Sequence, residues 1–293
     1  MPSMPVTEPD VPAAPGTLFV VATPIGNLAD ITLRALDVLR CVHLIAAEDT
    51  RHTRKLLSFY DIHKPLISYH SHNIRERGQE LLGKITAGAS VALVTDAGTP
   101  GISDPGALLV QQAVERCLPV TVIPGPTALI AALVASGLPT HPFAFLGFPP
   151  ARGTGRKHFF SSHASLPMTL ILYESPQRLR RTLEDMLQSW GDRRIAIARE
   201  VTKKFEEFFR GSITEATNHY AEGARGELTL VVEGFRGEQA AEVEQENWQE
   251  KLASLLENPR QTVKQATEEI VRRHRLSRRL VYQKALEMRR KKE

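Results

Sequence analysis

The sequence predicts an α/β protein built on two sheets and followed by a small helical region. Three observations carry this. Short apolar runs alternate with longer amphipathic stretches, the pattern of βα units in a buried parallel sheet. The apolar runs end in Gly/Pro-rich or strongly polar segments, so one sheet edge carries the chemistry. Strand signals stop at residue 238, and basic amphipathic stretches replace them.

Residues 1–15 hold five prolines and read as a disordered leader, with neither the basic nor the apolar part of a signal peptide. Residues 16–125 form the N-terminal α/β domain. Thr17–Ala22 is its first strand, running into Thr23-Pro24-Ile25-Gly26-Asn27-Leu28. Asp30 is placed to cap a helix over Ile31–Leu39. The strand Leu44–Ala47 ends in Glu48-Asp49-Thr50-Arg51-His52-Thr53-Arg54, and Leu66–Tyr69 ends in His70-Ser71-His72-Asn73. A helix over Ile74–Ala87 leads to the strand Val91–Val94. The segment after it, Asp96-Ala97-Gly98-Thr99-Pro100-Gly101-Ile102-Ser103-Asp104-Pro105-Gly106, continues neither strand nor helix. Its glycines allow close backbone approach to a ligand at the carboxyl end of a strand. Val120–Ile123 is the fifth strand and ends in Pro124-Gly125-Pro126.

Residues 126–236 form a second, mixed α/β domain. A helix over Leu129–Ser136 closes at Gly137, and strands follow over Phe143–Phe148, Met168–Tyr173, Ile195–Ala198, Phe208–Arg210 and Leu228–Glu233. Ser175 and Pro176 start one helix, and Ser212 with Glu215 makes a capping box. In residues 238–293, helices are expected over Glu242–Glu257, Thr262–His274 and Arg278–Lys292. The third turns Leu280, Val281, Ala285, Leu286 and Met288 inward. The last two resemble a helix-turn-helix.

Charge is divided unevenly. Residues 260–293 carry 12 Lys/Arg against 4 Asp/Glu, while the rest carries 25 against 29. A basic tail on a slightly acidic body points to a polyanionic partner. Cys41 and Cys117 have no metal spacing and sit in helical apolar patterns, which places them in the core of a cytoplasmic protein. No apolar run is long enough to span a membrane. A phosphate-binding P-loop, a dinucleotide fingerprint and a hydrolase nucleophile elbow are all absent. His70 and His72 lack a third ligand, so no metal is expected.

Six strand-end motifs occur in order: Thr23–Leu28, Ala47–Thr53, Asp96–Gly106, Pro124–Pro126, Tyr173–Pro176 and Arg199–Lys203. Together they resemble the tetrapyrrole methylase superfamily, and within it the enzymes that methylate cytidine 2′-oxygens of 16S rRNA. Gln177 departs from that pattern, where histidine is usual. The resemblance implies two α/β domains of tetrapyrrole-methylase type, S-adenosyl-L-methionine between them, a homodimer, and the small ribosomal subunit as partner. It places the cofactor against Pro24, Asp96, Gly98, Ile102, Ser103, Thr127, Ala128, Tyr173, Leu228 and Thr229.

A ribose hydroxyl needs a base, or a cation that stabilises the forming alkoxide. Glu200 and Lys203 are the favoured pair, with Glu174 and His70 further candidates beside Asp49 and His52. Arg51, Arg54, Arg152, Arg156, Lys157, Arg278 and Arg279 are the expected RNA contacts. Two other readings are a small-molecule methylase acting on a tetrapyrrole or precorrin, and a nucleic-acid-binding protein without enzymatic activity.

Overall fold

A computed structural model describes residues 16–237, 248–249, 251–256, 262–274 and 277–290. The leader and the first part of the Glu242–Glu257 helix lie outside them. One compact unit carries both sheets, up to Gly234; a second carries Ser165–Pro167 and the chain from Phe235.

In the first sheet, β1 (Leu18–Val21), β2 (Leu44–Ala47), β3 (Leu66–Ser68), β4 (Val91–Val94) and β5 (Val120–Ile123) run in the order β3-β2-β4-β1-β5. Every pairing is parallel. Helices α1 (Leu33–Cys41), α2 (Thr50–Phe59), α3 (Ile74–Thr86) and α4 (Gly106–Glu115) connect them. Both faces are covered, which is why β1 and β4 read as unbroken apolar runs. Phe19, Val21, Ile45 and Val94 pack on Leu36 and Leu39 of α1 and Leu56 and Leu57 of α2. Leu18, Ala46 and Leu93 point the other way, onto Leu81, Leu82 and Ile85 of α3 and Leu109 of α4.

The second sheet holds β6 (Phe143–Phe145), β7 (Thr169–Glu174), β8 (Arg194–Arg199), β9 (Glu207–Ser212) and β10 (Leu228–Val232), ordered β6-β7-β10-β8-β9. Only β6 and β7 are parallel, so the sheet is mixed. Helix α5 (Ala128–Ser136) links the sheets and sets Leu129, Ala132 and Leu133 on Ile171, Ala196, Ala198 and Val231. It ends at Gly137, whose φ of 74° is the left-handed cap that glycine adopts freely. Helices α6 (Gly153–His163) and α8 (Ile213–His219) each pack on α7 (Pro176–Trp190). The Ser212/Glu215 capping box is formed in full.

Local expectations fail where two polar residues compete for one role. Asp30 lies in a single 3-10 turn, Leu28–Asp30, and Thr32 caps α1 by accepting from the Ala35 N–H. Ser175 precedes α7 without a side-chain cap bond. Cys117 is exposed rather than core, because the chain leaves α4 there at φ 54°, and Cys41 is half-buried.

In the second unit, α9 (Val263–His274) and α10 (Arg278–Arg290) pair through Ala266, Ile270, Val281 and Ala285, with Trp248 and Leu252 closing the core. Leu286 is not part of it; it stands 38 % exposed. Among the described residues no helix is long and apolar enough to cross a membrane.

Candidate active site

The strand order creates the site. From β2 the chain moves outward to β3, whereas from β4 it crosses to β5 on the other side. Between two neighbouring strands whose connections diverge in this way, the carboxyl ends leave an open crevice. Side chains bind the crevice walls together. The Thr95 hydroxyl donates to Glu48 Oε2 at 2.6 Å, and Asp96 Oδ1 accepts the Asp49 N–H at 3.0 Å.

The loop after β4 is built to stay open. Thr23 and Gly98 exchange backbone hydrogen bonds at 2.9 and 3.0 Å, tying the β1 loop to the β4 loop. Gly98 sits at φ 85°, which a side chain would strain. Asp104 accepts the N–H groups of Gly101 and Gly106 and so fixes the curve of the loop. Ser103 takes φ 65°, a conformation that costs free energy in a non-glycine residue and clusters at functional sites.

The second sheet supplies the facing wall. Thr229 of β10 pairs with Tyr173 of β7, and Leu228 with Glu174, so the central strand carries both residues to the cavity. Phe148 lies over Tyr173 with ring centroids 5.5 Å apart. The open cleft has a volume of about 400 Å³, within the range of roughly 300–1,000 Å³ usual for small-molecule sites. Asp96, Gly98, Ile102, Ser103, Thr127, Ala128, Tyr173, Leu228 and Thr229 line it. Pro24 does not; it is buried, and its neighbour Ile25 lines the cavity instead.

Burial pushes the Asp96 and Asp104 carboxyls upward, against the backbone N–H groups that stabilise their anions. Burial also raises the Tyr173 phenol. Glu48, Thr95, Phe148 and Glu227 line the cavity as well. Their positions beside strand ends are the signal by which the sequence exposes them.

Glu200 and Lys203 stand beside the cavity rather than in its wall. Lys203 Nζ lies 2.9 Å from Glu200 Oε1 and 3.1 Å from Glu227 Oε2, and Glu227 reaches the cavity. Glu200 Oε1 also accepts the Glu227 N–H at 2.9 Å. That backbone bond, with Lys203 adding to it and desolvation opposing it, holds the Glu200 carboxyl below its ordinary range. Burial works against the Lys203 cation, but its two carboxylate partners outweigh burial and raise it. The loop is strained, with Glu200 at φ 52° and Thr202 at φ 67°. It also crosses the β1 loop: a Cβ on Gly26 would fall 2.4 Å from Lys203 Cγ, so only glycine lets the two loops meet.

Other expected residues have other tasks. Glu174 lines the cavity, but its carboxylate is engaged by the Ser175 N–H, Arg178 and the Thr182 hydroxyl. It holds the start of α7 and has little capacity left to accept a substrate proton. Arg156 is a correction: its side chain is 3 % exposed and is taken up by Asp185, Thr182 and the Pro150 carbonyl, so it cannot reach a phosphate. Arg54, Arg152 and Lys157 are exposed. Arg51 is exposed too, and its guanidinium forks onto Asp49, holding that carboxyl well below the usual range. Arg278 pairs with Glu268 at 3.1 Å, and the Arg279 side chain lies outside the described residues. His70 is not in the cavity wall; its Nε2 lies 3.4 Å from Asn73 Nδ2, and His72 stacks edge-on at 5.8 Å. Among the described residues no group of three or more His, Cys, Asp or Glu side chains is arranged to hold a metal.

Known proteins share this architecture. Uroporphyrin-III-C-methyltransferase from Thermus thermophilus superposes with a TM-score of 0.54 at 22 % identity, over 74 % of this chain and 94 % of that one. A cobalt precorrin-4 methyltransferase matches with a TM-score of 0.53 at 14 % identity, over 74 % and 95 %. In sequence, the ribosomal RNA small subunit methyltransferase I of Synechocystis sp. is 47 % identical over 93 % of this chain and 98 % of its own. The Bacillus subtilis protein of that name is 45 % identical over 82 % of each chain. The family model for Tetrapyrrole (Corrin/Porphyrin) Methylases matches residues 17–217, which span both sheets up to the residues before β10. The strand-end cavity and these matches coincide on the same segments, and the chain belongs to the tetrapyrrole methylase family.

Proposed function

We propose that this methyltransferase uses S-adenosylmethionine to methylate the 2′-oxygen of a cytidine in 16S rRNA of the small ribosomal subunit. The observation that carries the reading is the cavity at the β2/β4 switch point, lined by nine of the ten residues that the family resemblance assigns to the cofactor. Its chemistry fits that group. Ile25, Ile102, Phe148, Tyr173 and Leu228 offer apolar and aromatic surface to an adenosine, and the Asp96–Gly106 loop presents backbone groups and carboxylates. The proteins named for small-subunit rRNA methylation are similar over most of the chain, which supports the rRNA substrate.

The cofactor, when bound, supplies an electrophilic methyl group. The protein has to align a ribose oxygen with it. A lowered carboxyl makes Glu200 a weak base, and a raised ammonium keeps Lys203 charged, so their roles divide. Lys203 is the cation that stabilises the developing alkoxide at the rim. Glu200 is a positioning residue that holds Lys203 and the Glu227 backbone. The Glu227 carboxylate, on the cavity wall, takes the hydroxyl proton. Arg51, Arg54, Arg152 and Lys157 meet phosphates, as do basic residues of the C-terminal helices. The exposed Val122 of β5 and Ile130 and Val134 of α5 supply apolar surface for a homodimer. Methylation of small ribosomal subunits by the purified protein, read by nucleoside mass spectrometry, tests this. A 2′-O-methylcytidine is expected, and a base-methylated nucleoside or no product refutes it.

A further inference from the structure

The charges around the cavity are one-sided. Among the described residues five carboxylates line it, Glu48, Asp96, Asp104, Glu174 and Glu227, and no Lys, Arg or His does. Two are neutralised from outside: Glu174 by Arg178 at 2.6 Å and Glu227 by Lys203 at 3.1 Å. Glu48, Asp96 and Asp104 accept hydrogen bonds from uncharged donors, the Thr95 hydroxyl and backbone N–H groups, and are in no ion pair; Arg51 and His52 act on Asp96 only from a distance, outside the cavity lining. All three come from the loops after β2 and β4, so the charge not held in an ion pair lies on one wall. The facing wall carries Phe148, Tyr173 and Leu228.

We propose that Glu48, Asp96 and Asp104 make the cavity selective for a cationic ligand, favouring S-adenosylmethionine over the neutral product S-adenosylhomocysteine. This rests on the methyltransferase reading and deepens it. Methyl transfer breaks the methyl carbon–sulfur bond and returns its electron pair to sulfur. The new bond forms from the ribose oxygen, whose proton leaves to the base. The ligand's net charge falls from +1 to zero in that step. A wall that attracts the sulfonium loses that attraction once the methyl group has left. The effect lies in binding and release, since stabilising a charge that vanishes in the transition state does not speed the chemistry. Burial also lifts the Asp96 and Asp104 carboxyls, in accord with anions that are held in no ion pair.

Calorimetric titration of the full chain tests the proposal with three ligands: S-adenosylmethionine, S-adenosylhomocysteine, and sinefungin, which carries an ammonium near the sulfonium position. The variants are Glu48→Gln and Asp96→Asn, which keep shape and an acceptor while removing charge. Each is expected to weaken both cationic ligands on the order of three- to tenfold relative to the neutral one. S-adenosylhomocysteine affinity should hold or improve, and that retained binding also reports a folded site. An unchanged ratio in both variants, or an equal loss for charged and neutral ligands, overturns the proposal. Failure of the unaltered protein to bind any of the three refutes the methyltransferase reading beneath it.

Discussion

Lys203→Ala separates a catalytic rim from a structural one. The side chain is 28 % exposed and joins Glu200, 19 % exposed, to Glu227, 74 % exposed. Solvent screens such a pair, so its loss costs stability of about 1 kcal/mol. In a protein of this size that lowers the melting temperature by roughly 2–4 °C. If the ammonium instead stabilises an alkoxide, its removal costs on the order of 10²–10³ in kcat, as loss of one oxyanion donor does. That is about 2.7–4 kcal/mol on the barrier, well above the effect on stability. Single-turnover methyl transfer to small ribosomal subunits, with a melting curve on the same preparation, reads both quantities. Glu200→Gln should follow in kcat more weakly, because Gln can still accept the Glu227 N–H but anchors Lys203 less firmly. The expected signature is a large fall in kcat with KM for either substrate near normal. Turnover within about threefold of the unaltered protein, beside a lower melting temperature, would refute a role for Lys203 in the reaction. It would turn attention to Glu48, Asp49 and His52.

Gly98→Val should abolish S-adenosylmethionine binding in calorimetry while the protein stays folded, since valine is strained at φ 85°. Arg156→Met should destabilise the protein by about 3–5 kcal/mol, because it strands the Asp185 and Thr182 partners of a buried guanidinium; denaturant unfolding measures this, and RNA affinity should not change. Deleting residues 238–293 should leave cofactor binding intact and reduce the salt dependence of RNA binding in filter assays; an unchanged slope would exclude the tail as a phosphate contact. Asp96 provides a pH test with a definite sign. Its folded carboxyl is raised by burial, so its ionisation costs stability that is recovered as pH falls through that raised value. Without ligand, Asp96→Asn should therefore melt higher than the unaltered protein at neutral pH. The gap should close as pH falls into the carboxylate range.

The legible and illegible parts of this molecule differ in physical kind. The first sheet could be read because both faces of its inner strands are covered, which forces continuous apolar runs such as Val91–Val94 and collects polar residues at the strand ends. The cavity loops could be read for the same reason: three glycines and two prolines within Asp96–Gly106 have no place in a strand or helix. What the sequence hid was competition between partners. Glu174 and Arg156 look equally available in one dimension, yet Thr182 bonds both and draws them into a single buried network. Asp30 and Thr32 are both good caps, and only the course of the 3-10 turn decides between them. The division between Glu200 and Lys203 is of this kind too. It depends on Glu227, which lies 24 residues beyond Lys203 in the chain and meets it only because β10 inserts between β7 and β8. A motif at one strand end therefore marks where chemistry collects. The role of each residue follows from which other strand end the sheet order places beside it.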